Sequence, residues 1–132
     1  STLILAGNYS ISDPLSISGG VGLNLSCTWP NNSSISVDHS TLVLGGTWTN
    51  AGTLAVSNSA WTIGGTYTAL GNTTGSSNAL TYAGTFPGPV LEANASTGDI
   101  TLSTVTLNNT ILRTRDNARI NVGLGSAVTM SQ

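Results

Sequence analysis

A repeat of about 19–20 residues runs along the chain and constrains its fold more than any other feature. Successive copies begin with an apolar residue, at Leu3, Leu23, Leu42, Trp61, Leu80, Ile100 and Ile120. A second apolar column follows two positions later, at Leu5, Leu25, Leu44, Ile63, Tyr82, Leu102 and Val122. Self-similarity at a fixed period of this kind is typical of solenoids and repeat arrays.

Within each copy, apolar and small polar residues alternate, which is the pattern of β-strands rather than of helices. An aromatic column follows the first two, at Tyr9, Trp29, Trp48, Tyr67 and Phe86, and we expect these rings to form a ladder in the core. A further pair of apolar columns is clear at Leu15/Ile17, Ile35/Val37 and Leu54/Val56. In the next copy, Thr73 and Gly75 replace the apolar residues. Gly, Asn and Ser separate the short strands, as turn residues do.

The repeat therefore predicts an all-β fold, a parallel β-helix (β-solenoid) of six to seven coils that forms a single domain over residues 1–132. We expect a right-handed coil, because parallel crossover connections are overwhelmingly right-handed. A hairpin meander fits less well, since its equivalent columns would not recur at a constant spacing. Neither end shows a polar or helical cap, so we expect a piece of a longer solenoid or a subunit that stacks end to end.

The composition excludes several classes of function. Only 6% of the residues are charged, whereas Ser, Thr and Asn account for 51 of the 132. The three basic residues, Arg113, Arg115 and Arg119, are too few for nucleic-acid binding, which needs clustered positive charge. No apolar run approaches the length of a membrane span. A neutral surface suits an exported protein, so we expect an extracellular or cell-surface location.

The acidic residues do not suggest a catalytic pair, because adjacent coils hold no two of them in one column: Asp13, Asp38, Glu92, Asp99 and Asp116. A glycosidase needs two carboxyl groups close together. We instead expect Asp99 to pair with Arg119, and Glu92 with Arg113, one coil further on. The sequence thus predicts no catalytic residue and no enzyme.

His39 and Cys27 are the only histidine and the only cysteine, and neither has partners at metal-ligand spacing. We therefore predict no metal and no cofactor. His39 follows Asp38 in a turn, and a turn residue is the simpler interpretation. Cys27 falls in a column that other copies fill with glycine, which indicates a corner that tolerates only a small side chain.

Threonines beside the aromatic column are the candidate binding residues. If the rings point inward, Thr28, Thr47, Thr66 and Thr85 point outward in one file, and Thr49 and Thr68 form a shorter second file. Such a face could bind ice or a glycan surface. The preference of threonine for strands is the simpler explanation, and Pro30 and Pro87 interrupt the second file.

The period and blocks such as GGTWTNAGTLAV resemble the β-helical shafts of exported bacterial proteins, namely filamentous-haemagglutinin-type adhesins and autotransporter passengers. The resemblance implies secretion and a role in adhesion, surface layers or filaments, and it supplies no catalytic residues. We therefore expect a non-enzymatic structural or adhesive solenoid whose partner is a second copy or the continuation of the same polypeptide. The alternatives are a binder of ice or glycans through the threonine file, and a carbohydrate-active or tailspike-like β-helix enzyme.

Overall fold

Short β-strands make up the computed structural model, which describes residues 1–68 and 70–131; Ala69 and Gln132 lie outside the described residues. In chain order the strands are β1 Thr2–Leu5, β2 Leu15–Ser18, β3 Gly22–Leu25, β4 Thr28–Asn31, β5 Ser34–Asp38, β6 Thr41–Leu44, β7 Thr47–Asn50, β8 Thr53–Ser57, β9 Ala60–Ile63, β10 Asn72–Thr74, β11 Ala79–Phe86, β12 Val90–Ala93, β13 Ile100–Asn108, β14 Ile111–Thr114, β15 Ile120–Val122 and β16 Val128–Ser131. No helix occurs among the described residues.

The first face of the molecule is a parallel sheet in which each circuit of the chain adds one strand. Its strand order is β1-β3-β6-β9-β11-β13-β15. Leu3 lies opposite Leu23, and Leu80 lies opposite Ile100, as the first apolar column predicts. Leu5 lies opposite Leu25, as the second column predicts. Identical or similar residues therefore stack along the axis at the spacing of neighbouring strands, about 4.8 Å.

The second face holds the aromatic column and contains one irregularity. β4 pairs with β7 so that Trp29 lies opposite Trp48. The C-terminal halves of β11 and β13 bend onto this face, where β16 joins them. The register shifts after Tyr82 because β13 carries one extra residue at a bulge, where Thr104 adopts a positive φ of 47°. Phe86 consequently lies opposite Leu107, a longer interval than the repeat predicts.

The third face is interrupted. One sheet has the order β10-β8-β5-β2, and β12 pairs with β14 in a separate two-stranded sheet. The pair of columns that begins at Leu15 and Ile17 is present in the first of these sheets, in which Leu54 lies opposite Ile35 on one side and Thr73 on the other. Among the described residues, no ladder joins β10 to β12, although the two strands belong to consecutive coils.

The three faces enclose a core of stacked apolar side chains. Leu25, Leu42, Leu54 and Ile63 are 0% exposed, and the indole of Trp48 is 2% exposed. Complete burial of one such side chain contributes about 1.5–3 kcal/mol. Because a single coil leaves its apolar side chains uncovered above and below, this stability exists only in the stack.

Buried polar side chains at the corners bond to the next coil. Asn31 is fully buried, and its Nδ2 donates to Oδ1 of Asn50 at 2.8 Å. Nδ2 of Asn50 donates in turn to the carbonyl oxygen of Leu70 at 2.7 Å. A buried polar group is tolerated when it is hydrogen-bonded, so this short asparagine ladder holds three consecutive coils in register.

The corner between the first two faces requires a left-handed backbone. Cys27, Gly46 and Gly65 have φ of 65°, 72° and 73°. A Cβ atom on Gly46 would lie 2.0 Å from the carbonyl oxygen of Cys27, so this position accepts no side chain. The glycine column of the sequence thus has two causes, the positive φ and the close approach of the neighbouring coil.

The predicted parallel β-solenoid is confirmed, with about six turns. The near-constant period that the sequence predicts holds for the first face throughout. On the second face the period lengthens after Phe86, because the bulge in β13 and the residues between β15 and β16 add to the last coils.

Candidate functional site

The candidate threonines lie in ladder register on the second face. Thr28 lies opposite Thr47, and Thr47 forms a bridge with Thr66; all three are exposed. Thr85 is also exposed and begins a second run, in which it lies opposite Thr106 and Thr106 lies opposite Thr129. Thr106 and Thr129 are not predicted by the repeat, because the bulge in β13 changes the spacing.

The shorter file has less regular neighbours. Thr49 and Thr68 are exposed, and Thr49 lies opposite Pro30. Thr28, Thr47 and Thr66 therefore form one regular row of hydroxyl and methyl groups. The positions beside this row are irregular, because Pro30 interrupts the second file. Binding by these threonines stays a prediction.

Behind this face the aromatic rings stack. The ring centroids of Tyr9 and Trp29 are 6.4 Å apart, those of Trp29 and Trp48 are 5.4 Å apart, and those of Trp48 and Tyr67 are 4.5 Å apart. Phe86 is buried like the tryptophans, but its ring lies edge-on to Tyr82, with the centroids 5.3 Å apart. The stacked series therefore consists of Tyr9, Trp29, Trp48 and Tyr67.

Each indole of the stack is bonded to the coil above it. Nε1 of Trp29 donates to the carbonyl oxygen of Gly45 at 3.0 Å, and Nε1 of Trp48 donates to that of Gly64 at 2.9 Å. These acceptors are the first glycines of the two GGT triplets. Tyr67, the next ring along, has a buried hydroxyl with no hydrogen-bond partner, and burial raises the pKa of this hydroxyl.

The charged side chains near the C-terminus form surface contacts. Glu92 contacts Arg113 at 3.6 Å and Arg115 at 3.2 Å, so the predicted Glu92–Arg113 pair is confirmed. A hydrogen bond from Asn94, followed by the two guanidinium groups, lowers the pKa of Glu92. Asp99 and Arg119 are in contact, but not through the expected ion pair. The Asp99 carboxylate accepts a hydrogen bond from the backbone N–H of Arg119 at 2.8 Å.

His39 and Asp38 lie on the surface at a corner of the coil. His39 Nδ1 lies 2.9 Å from an oxygen of Asp38, and Asn58 donates to the other oxygen at 3.0 Å. These two hydrogen bonds, that from Asn58 first, lower the pKa of Asp38. Cys27 is exposed at another corner. Within residues 1–68 and 70–131, no three His, Cys, Asp or Glu side chains come together as a metal site.

Two separate cavities lie where the third face is interrupted, between the fourth coil (residues 60–78) and the fifth coil (residues 79–99), and we call the two together the inter-coil cleft. One cavity, of about 270 Å³, has an apolar lining: Tyr67, Leu70, Phe86, Pro87 and Pro89. The other, of about 300 Å³, has different lining residues: Trp61, Thr73, Thr74, Asn78, Ser96 and Thr97.

Two residues that line these cavities have a buried polar atom without a partner. Trp61 Nε1 and Tyr67 OH are the buried side-chain atoms without a hydrogen bond in the part of the chain that the structure describes. The two residues are 7% and 6% exposed, and each lines a different cavity. Buried polar groups are nearly always hydrogen-bonded, so both atoms are exceptions.

The inter-coil cleft was not predicted from the sequence, although the repeat is interrupted at the corresponding position. The pair of columns that begins at Leu15 and Ile17 ends at Thr73 and Gly75, where the earlier coils have leucine, isoleucine or valine. Polar or absent side chains at inward positions leave the third face of the fourth coil without an apolar layer, and the fifth coil does not pair with it.

Comparisons with protein families, with curated proteins and with solved structures found no match for this chain. In the described residues, no helix has the length and apolar character that crossing a membrane requires.

Proposed function

We propose that this chain is a structural or adhesive segment of an extracellular β-solenoid, part of a fibre, filament or surface layer, and that it works without catalysis. The observation that carries the proposal is the state of the two ends. Columns that are buried in the middle of the stack become exposed in the first and last coils, so that both ends offer a template for a further coil.

The exposed large apolar side chains of the described residues lie at these ends: Leu3, Ile4, Ile111, Leu112, Val122, Leu124 and Met130. Leu3 is 40% exposed, whereas Leu23, its neighbour in the same column, is 1% exposed. Met130 is 61% exposed and lies opposite Leu107, which is 0% exposed. Open strand edges with apolar residues recruit other strands, and a further coil would bury both.

The sides of the molecule support the same proposal. They consist largely of neutral Ser, Thr and Asn, and the charged groups are few. Such a surface has little electrostatic repulsion between copies, so that contact at the ends is favoured by the hydrophobic effect and by backbone pairing. The partner is then a second copy or the continuation of the same polypeptide.

Sedimentation velocity over a range of concentrations tests the end contacts. We expect the mass of the wild-type chain to rise with concentration, and Val122→Lys and Met130→Lys to stay monomeric because each places an unpaired charge inside the contact. Thr49→Lys is the matched control, since it adds the same charge to an exposed side position. Circular dichroism verifies that each variant is folded.

The proposal is wrong if the wild-type chain stays monomeric at every concentration and the residues that flank it in its natural sequence do not continue the period. It is also wrong if the end variants and Thr49→Lys associate equally well, because association would then not occur through the ends.

A second candidate is binding of ice or a glycan surface through the threonine file, and the observation that favours it is the register of Thr28, Thr47 and Thr66 on one face. Thermal hysteresis and retention on insoluble polysaccharide measure the two activities. We expect Thr47→Ala and Thr66→Ala to reduce whichever activity exists, and the candidate fails if the wild-type chain shows neither.

A further inference from the structure

We propose that copies of this chain join head to tail, so that the first coil of one copy stacks on the last coil of the next with all strands parallel. This inference rests on the end contacts of the proposed function and specifies their direction and their partner. The alternative is a head-to-head contact, in which two equal ends meet across a two-fold axis and the assembly closes as a dimer.

The backbone hydrogen bonds between inner coils have a direction. On the first face, the carbonyl groups of the inward leucines always accept from the following coil. The N–H group of Gly45 donates to the carbonyl oxygen of Leu25 at 2.8 Å, and that of Gly64 donates to Leu44 at 2.9 Å. In a parallel ladder, alternate residues bond to opposite neighbours. The inward residues of each strand therefore bond to the following coil, and the outward residues bond to the preceding coil.

This alternation leaves different residues unpaired at the two ends of the part of the chain that the structure describes. On β1, Leu5 accepts from the following coil, as the inner leucines do, so the outer edge presents the backbone of the outward residues Thr2 and Ile4. On β15, the outer edge presents the backbone of the inward residues Ile120 and Val122. Head-to-tail contact brings these two sets together and reproduces the ladder that joins the inner coils.

The side-chain columns match in the same arrangement. On the first face, Leu5 of the added copy would cover Val122, which is 58% exposed in the single chain. On the second face, Tyr9 would lie over Met130, because Tyr9 begins the aromatic column and Met130 lies opposite Leu107 at its other end. Apolar side chains would then be covered on both faces, which favours the contact through the hydrophobic effect.

A head-to-head contact cannot match the columns in this way. A two-fold axis across the stack reverses the order in which the three faces follow one another, so at most one face meets its own counterpart. If the first faces of two N-terminal ends were paired, Tyr9 of one copy would meet the third-face residues Leu15 and Ile17 of the other. The strands would also be antiparallel, unlike the ladders between the strands of the molecule.

The third face ends one strand earlier than the other two faces within the described residues. Its last strand is β14, whereas β15 and β16 extend the first and second faces beyond β13. A head-to-tail contact on those two faces leaves room for one strand between β14 and β2 of the added copy. We therefore expect the first two faces to form the contact and the outer edge of β14 to stay open.

Two variants, each with one blocked end, test the direction. Leu3→Lys blocks the N-terminal end and Met130→Lys blocks the C-terminal end, because each places a charge inside the contact. Both positions reach water in the single chain, at 40% and 61% exposure, so each variant should fold. We expect each variant alone to be monomeric and an equimolar mixture to form dimers that contain one chain of each and grow no further. Sedimentation velocity and native mass spectrometry, with one variant ¹⁵N-labelled, measure the mass and the composition.

Hydrogen exchange in the mixed dimer locates the contact. In labelled Met130→Lys, the amide of Ile4 should exchange about tenfold more slowly, or slower still, once unlabelled Leu3→Lys is added. In labelled Leu3→Lys, the amide of Val122 should slow in the same way when unlabelled Met130→Lys is added. The amide of Leu112 on β14 should be unchanged, because the third face stays open.

The control is Thr49→Lys, which carries the same charge on a side position and should associate like the wild-type chain. Head-to-tail contact is refuted if Leu3→Lys or Met130→Lys dimerises alone, as a head-to-head contact predicts. It is also refuted if the mixture stays monomeric where the wild-type chain associates, or if Leu112 is protected and Val122 is not. These results leave association of the wild-type chain in place. A wild-type chain that stays monomeric together with every variant and the mixture would instead remove any contact between copies.

Discussion

At the residue scale, the corner between the first and second faces shows how a single position limits the sequence. Each early coil places a left-handed residue there, and the residue is glycine at 46 and 65 but cysteine at 27. A residue with a side chain has a conformational cost in this region, of order 1 kcal/mol. Cys27 is exposed, so its side chain gains little from packing in return.

Cys27→Gly should therefore raise the free energy of unfolding by up to about 1 kcal/mol, because it removes this cost. Gly46→Ala at the equivalent position of the next coil is the opposite case, since its Cβ would collide with the carbonyl oxygen of Cys27. Urea titrations of the two variants measure both effects. A loss of stability in Cys27→Gly would contradict the account of this corner.

At the scale of the elements, β12 and β14 depend on a charged contact as well as on backbone pairing. Glu92 lies opposite Arg113 in the ladder and also contacts Arg115. The pKa of Glu92 is lowered, first by the Asn94 hydrogen bond and then by the two arginines. A lowered pKa in the folded state stabilises the protein above the ordinary pKa of 4.5, and this contribution is lost as the pH falls through the folded value.

Stability measured as a function of pH should consequently fall on acidification below about 4.5 in the wild-type chain. Glu92→Gln should be less stable at neutral pH and should show a weaker fall in acid, because the glutamine does not titrate. Asp13→Asn, at an exposed position, serves as the control. Parallel curves for the wild-type chain and Glu92→Gln would contradict this assignment.

The interrupted third face leaves β10 at the edge of its sheet. β5 and β8 are paired on both edges, whereas β10 is paired with β8 alone, just as β2 at the other edge is paired with β5 alone. Native-state hydrogen exchange should therefore show faster exchange for the amides of Asn72–Thr74 than for those of β5. Equal protection of the two strands would show that the cleft is closed in solution.

Much of this arrangement could be predicted from sequence, because solenoid coils place residues of one column directly above each other. The opposition of Leu23 and Leu42, of Trp29 and Trp48, and of Leu54 and Thr73 follows from counting alone. Departures from the period could not be counted. One departure is the bulge at Thr104, and another is the missing pairing between β10 and β12. Both depend on the local backbone conformation of polar segments, which the spacing of the columns does not determine.

Site residues were harder to predict than the fold for a physical reason. The outward threonines are visible as a column, but exposure alone does not separate a binding face from an ordinary strand surface. Trp61 occupies a core column and has the sequence pattern of a packing residue. Only the three-dimensional contacts show that its indole nitrogen, like the hydroxyl of Tyr67, has no partner.

At the scale of the whole molecule, the stack is open at both ends and neutral along its sides. Leu3 and Met130 belong to columns whose inner members are fully covered. The inner coils are stabilised by contacts with their neighbours. A further coil added at either end would make contacts of the same kind and gain a similar stabilisation. We therefore propose that the molecule adds further coils along its axis.

Electron microscopy of the purified chain at high concentration tests this proposal. Axial addition predicts unbranched rods that have the width of one solenoid and variable length, and it predicts their loss in Val122→Lys and Met130→Lys but not in Thr49→Lys. Isolated particles of single-chain size in the wild-type sample, or sheets that widen by contact between the sides, would contradict it.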